Sequence, residues 1–118
     1  MVNVERKNLG SVSLLNLDGP IVIGETETLC DVVQTLPPAS SVVLDLSHVT
    51  MVDAHGLGVL LQLREQAKAR DMRFELMNPS HPLREVLRIT RLDSVFQINT
   101  EVEFLPLVMS AKRPALAA

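Results

Sequence analysis

Along the 118 residues the spacing of apolar positions changes several times, and each change predicts an element boundary. Ser11 to Leu17 reads as a strand, and Gly19-Pro20 reads as a turn into a second strand at Ile21-Val22-Ile23. Leu29, Val32, Val33 and Leu36 then recur at helical spacing. Thr26 or Thr28 stands where an N-cap belongs, and Pro37-Pro38 stops the helix. Val42 to Leu46 is nearly all apolar, as expected of a strand covered on both faces, with Asp45 near its exposed end.

A helix is predicted from about Gly56 to Arg70, with Leu57, Leu60 and Leu61 as its inner stripe and Arg64, Glu65 and Lys68 towards solvent. Phe74 and Leu76 alternate with Arg73 and Glu75, the pattern of a half-buried strand. Asn78-Pro79 turns the chain, and Ser80 with Pro82 opens a third helix that faces Leu83, Val86 and Leu87 inward. Val95, Phe96 and Ile98 suggest a short last strand. Thr100 and Glu103 then form a capping-box pattern for a final helix, which Pro106 should kink or end. Strands alternating with helices over short connections predict an α/β fold: a mostly parallel (mixed) sheet of four to five strands packed with about four helices. The whole chain, 1–118, reads as a single domain with its core at about 11–109 and a frayed tail at 110–118.

Composition narrows the function classes. A domain of this length buries about 65% of its unfolded surface. With no Trp or Tyr and three Phe in a 47% hydrophobic chain, the core is aliphatic and platforms for stacking bases are nearly absent. A net charge of −3 gives no electrostatic reason to bind nucleic acid or an anionic membrane. One cysteine, Cys30, allows no internal disulfide and suits a reducing compartment. No apolar run reaches the roughly 18 residues of a membrane span, and the polar Met1 to Asn8 lacks a signal-peptide core. A cytoplasmic location is expected, without membrane insertion.

Two segments carry a resemblance. One is the strand-turn-helix Val42-Leu44-Asp45-Leu46 to Asp53-x-x-Gly56-Leu57. The other is Val86-Leu87-Arg88-Ile89-Thr90-Arg91-Leu92-Asp93-Ser94-Val95-Phe96-Gln97-Ile98. In that order and spacing, over roughly Val12 to Leu105, the chain resembles the STAS domain of bacterial anti-sigma factor antagonists. The resemblance implies a partner-switching module that binds an anti-sigma factor, often a serine kinase, and so regulates sigma-factor-dependent transcription. It also implies that phosphorylation of a Ser or Thr just before the first glycine ends the binding. At that phosphoacceptor position this chain has His55, and Ala54 precedes it. The site has kept its turn and lost its hydroxyls.

By the same resemblance, Thr50, Asp53, Ala54, His55, Gly56 and Leu57 form the partner-binding face. Read from the residues alone, Asp53 is a helix cap, a partner contact or a catalytic acid, and it has no second carboxylate nearby for acid–base work. His55 is a plain surface residue, a hydrogen-bonding contact or a site of regulation. His48, His55 and His81 lack zinc-site spacing, so no metal or other cofactor is expected. Gly56-Leu57-Gly58 begins a dinucleotide fingerprint, but Leu61 stands where its third glycine belongs. Arg84, Arg88 and Arg91 fall on one helical face, as a solvated surface or a docking stripe. Ser47, Thr50 and Thr90 read as capping or turn hydroxyls rather than substitute phosphosites. No nucleophile–base pair is visible, so no enzyme is expected. The alternative from another class is an adaptor or scaffold subunit of a transporter ATPase complex or stress-signalling assembly, and a homodimer is compatible with either reading.

Overall fold

A computed structural model describes residues 1–99. The final helix expected from Thr100, and the tail at 110–118, lie outside the described residues. Nine elements follow one another: β1 (Asn3–Leu9), β2 (Val12–Ile21), α1 (Glu27–Gln34), β3 (Ser41–Val52), α2 (Ala54–Ala69), β4 (Arg73–Met77), α3 (His81–Ile89), a 3-10 turn (Leu92–Ser94) and β5 (Gln97–Asn99). The strands lie side by side in sequence order as one five-stranded sheet. β1 is antiparallel to β2, and the other neighbours are parallel.

Sequential parallel strands joined by right-handed crossovers must place their helices on one face. The main core lies there. It joins Leu15, Leu17, Leu44, Leu46 and Leu76 of the sheet to Leu29 and Val33 of α1, Leu60 and Leu63 of α2, and Leu83 and Leu87 of α3. Each such buried leucine contributes roughly 2 kcal/mol, so the core needs few rings. Among the described residues, Phe74 and Phe96 make one ring contact, with centroids 6.2 Å apart. A smaller cluster of Val12, Val43 and Met77, with Leu9 and Leu14, occupies the opposite face. The end of α1 and the chain just past it are held from outside: the Arg70 guanidinium donates to Val33 O at 3.2 Å and to Leu36 O at 2.5 Å.

Several expectations need correction. The polar run Met1 to Asn8 holds β1. Only Val2 and Val4 of its residues turn towards the main core, so it carries too little apolar alternation to read as a strand. Gly19-Pro20 is not a turn, because β2 continues through it to Ile21 with register shifts against β3. β1 reaches only Asp18, so Pro20 loses no ladder bond on that side. β3 runs on to Val52, well past Leu46. Within α2 the buried stripe is Gly56, Val59, Leu60, Leu63 and Ala67, while Leu57 and Leu61 are half-buried at its margins. Val86 is also half-buried, and Val95 is exposed just before β5.

Glu75 is the sharpest departure. Read as the solvent side of β4, it is 2% exposed, because it pairs across the sheet with Val43 on the second apolar face. One oxygen accepts from Arg73 Nη2 at 3.3 Å and Asn99 Nδ2 at 3.0 Å, and the other has no partner. A buried carboxylate with an orphan oxygen costs desolvation that its bonds do not return. Glu75→Met should therefore raise stability by about 1 kcal/mol. Urea unfolding checks this, and a clear loss of stability would show that the pair holds the β4–β5 edge together.

Candidate partner-binding site

β3 extends beyond the end of β4, since β4 pairs only with Ser41 to Asp45. Its outer half carries the chain to Val52, where it turns into α2. Asp53 makes that turn. Its backbone is extended (φ −109°, ψ −177°), and its Oδ1 accepts from the Gly56 N–H at 2.8 Å, the bond of an N-cap. Its Oδ2 accepts from the Ile23 N–H at 3.1 Å, thirty residues away in the β2–α1 loop. One carboxylate thus ties the loop after β2 to the start of α2. The Gly56 and Ile23 N–H groups, with a smaller contribution from His55, hold its carboxyl below the usual range, while desolvation opposes them.

Gly56 completes the joint by being small. A Cβ there would lie 1.8 Å from Ile21 O and 2.9 Å from Val52 Cγ2. The first turn of α2 is pressed against the end of β2 at a distance only glycine allows. Gly58 faces open space, so the second glycine of the pair has no comparable duty.

The six residues expected at the partner face divide accordingly. Thr50, Ala54 and His55 are exposed, Asp53 and Leu57 are half-buried, and Gly56 is buried. The chain's own architecture uses Asp53 and Gly56, leaving Thr50, Ala54 and His55 as the outward surface. Two residues missed by sequence reading flank them: Ile23 is 70% exposed and Met51 62%. Ile23 reads as the end of an apolar strand run and Met51 lies past the expected end of β3, so neither carries a local signal of exposure. Beside Met51, a groove of about 240 Å³ runs between β3 and α3, lined by Thr50, Met51, Val52, Ser80, Pro82, Leu83 and Val86. The Ser80 hydroxyl, in its lining, donates to Val49 O at 3.2 Å and ties the start of α3 to β3.

The arginine stripe does not hold as drawn. α3 ends at Ile89, and Arg91 has a left-handed backbone (φ 62°), so it leaves the face shared by Arg84 and Arg88. Arg88 is paired with Glu85 at 2.6 Å. Thr90 donates to Val86 O at 2.7 Å, a turn role. Ser47 lies 3.3 Å from His48 Nδ1. Of the three histidines, only His55 stands at the turn.

The family model for the STAS domain matches residues 3–105. The chain belongs to the STAS domain family. A STAS-domain containing protein of Pseudomonas aeruginosa strain UCBPP-PA14 is 35% identical over 57 residues, which is 48% of this chain. That match spans only 56% of the relative's length. Among solved structures, an anti-sigma factor antagonist from Mycobacterium paratuberculosis superposes with a TM-score of 0.79 at 21% identity, over 92% of this chain and 94% of that one. The anti-sigma factor antagonist SpoIIAA in its unphosphorylated form gives 0.71 at 18%, over 93% and 97%. A sulfate transporter family protein from Wolinella succinogenes gives 0.74 at 18%, over 86% and 87%. At these identities the likeness establishes the shared STAS fold. Among the described residues, no helix is long and apolar enough to cross a membrane.

Two substitutions test the joint. Gly56→Ala should cost about 3 kcal/mol or more, because the new methyl meets a backbone carbonyl rather than a movable side chain. Thermal unfolding measures it, and a near-neutral result would refute the close approach. Because the folded-state Asp53 carboxyl titrates below its unfolded value of about 3.9, its charge stabilises the fold above that pH. That contribution fades as pH falls towards the folded-state value. Asp53→Asn keeps a capping oxygen but not the titration, so it should flatten the acid side of the stability curve below about pH 5.

Proposed function

We infer that this STAS domain is a non-enzymatic antagonist that binds an anti-sigma factor through the β3–α2 turn and so regulates sigma-factor-dependent transcription. The observation that carries the reading is the pairing of a preserved joint with a changed surface. Asp53 and Gly56 fix the turn, while Ala54 and His55 stand exposed on it without a hydroxyl. SpoIIAA, a structural neighbour, exists in unphosphorylated and phosphorylated forms. A phosphate at the N-terminus of α2 would sit among free N–H groups and add roughly −1.5 to −2 charge to the surface. A serine kinase cannot make that change on an imidazole by its usual hydroxyl chemistry. Binding here is therefore constitutive, and control passes to the amount of the domain or to its partner.

The exposed apolar side chains of Ile23 and Met51 give the partner something to bury beside His55. The cytoplasm is the compartment this function requires. An adaptor role in a transporter complex is the second reading, supported by the missing hydroxyls and by the fold's likeness to the sulfate transporter family protein.

Titration calorimetry against the cognate anti-sigma factor separates the two. The antagonist reading expects His55→Glu and Met51→Asp each to weaken binding about tenfold, or 1.4 kcal/mol. It further expects His55→Ser to become a substrate of a cognate serine kinase. Failure of the wild type to bind any anti-sigma factor encoded beside it, with binding to a transporter ATPase instead, would favour the adaptor.

A further inference from the structure

β1 is the outer strand of the sheet, and among the described residues nothing pairs with its free side from Val4 to Asn8. The direction of its backbone groups follows from the hairpin. Leu9 and Val12 close a two-residue turn, so Leu9, Lys7, Glu5 and Asn3 bond inward to β2, while Asn8, Arg6 and Val4 point their N–H and C=O groups outward. An independent bond agrees with this parity: the Val2 N–H, next in the outward series, donates to Glu25 O at 3.4 Å. The β2–α1 loop thus closes the edge at Val2 and leaves it open beyond. The open stretch has no proline or bulge to blunt it.

Antiparallel pairing of this edge with itself about a two-fold axis can centre on any residue from Val4 to Asn8, but centres at Val4 and Asn8 pair only that one residue of the open stretch, which leaves three. Centred on Glu5 it sets Glu5 against Glu5, and centred on Lys7 it sets Lys7 against Lys7. Centred on Arg6, it pairs Val4 with Asn8 and Arg6 with Arg6 through their outward backbone groups. It also places Glu5 opposite Lys7 twice, in the closer, non-hydrogen-bonded positions. Both side chains are exposed on the face away from the helices and already lie 3.8 Å apart within one chain. The only like-charge meeting in this register is Arg6 with Arg6, on the other face. Two favourable pairs against one unfavourable pair select it.

We propose that the β1 edge is a homodimer interface, in which two copies join antiparallel in the Arg6-centred register to form one continuous sheet. The symmetry is isologous, so it closes at two copies. Since the partner strand runs the opposite way, the two β3–α2 turns lie at opposite ends of the joined sheet. Each remains open, and one dimer can engage two partners.

Sedimentation equilibrium of the whole chain, with circular dichroism as a fold control, tests this. The wild type dimerises in the micromolar range, about the strength of a small interface. Lys7→Glu opposes two glutamate pairs and raises the dimer Kd about tenfold or more. The double variant Glu5→Lys with Lys7→Glu restores it to within about threefold. Arg6→Pro gives a folded monomer, because the amide it removes points away from β2. A wild type that stays monomeric at about 1 mM overturns the proposal. So does a dimer indifferent to Lys7→Glu, which would place the contact elsewhere, and this arm stands even if Arg6→Pro fails to fold.

Discussion

The Asp53 carboxylate receives two backbone N–H groups, one from Gly56 three residues on and one from Ile23 thirty residues back, and the geometry of the whole candidate surface descends from that. The bond to Gly56 starts α2. The bond to Ile23 fixes the loop that leads into α1. Gly56 then lets the helix end settle against Ile21 O, so strand, loop and helix meet without a gap. Without this joint, the outer half of β3 would project past β4 with β2, the Ser80 hydrogen bond to Val49 and the core packing of Val49 to hold it. With it, Thr50, Ala54 and His55 have a defined direction, and Ile23 and Met51 a defined spacing around them.

This division of labour explains how the turn can keep its form while its chemistry changes. Its architecture resides in one carboxylate and one missing side chain, neither of which is the outward residue. Position 55 is free to hold a hydroxyl or an imidazole at little cost to the fold. On the proposed function, what changes is the signal it can accept. A hydroxyl takes a phosphate from a serine kinase, whereas His55 offers a hydrogen-bonding ring. An edge-paired dimer would carry two such surfaces on one rigid sheet, and two weakly held partners could then be retained together.

Much of the fold was legible because its signals are local. Pro37-Pro38 ended α1, the apolar run Val42 to Leu46 marked a covered strand, and Ser80 with Pro82 announced α3. Asp53 was readable as a cap because capping joins residues three apart. Its second bond, to Ile23, was not, since no short-range pattern predicts a partner thirty residues away. β1 was missed because an edge strand packs few side chains and so needs little apolar alternation. Glu75 misled for a related reason: an acidic residue in an alternating strand reads as solvent-facing, and only the sheet order shows that Val43 lies beside it. The arginine stripe failed because a helical period says nothing about where the helix stops.

Amide hydrogen exchange on the wild type and on Asp53→Ala tests the joint most directly. If one carboxylate holds both segments, the Gly56 and Ile23 amides exchange slowly in the wild type and lose protection together in the variant, while Leu60 and Leu63 deeper in α2 stay protected. If Ile23 keeps its protection when the carboxylate is gone, the loop is held by something else, and Asp53 is only the cap of one helix.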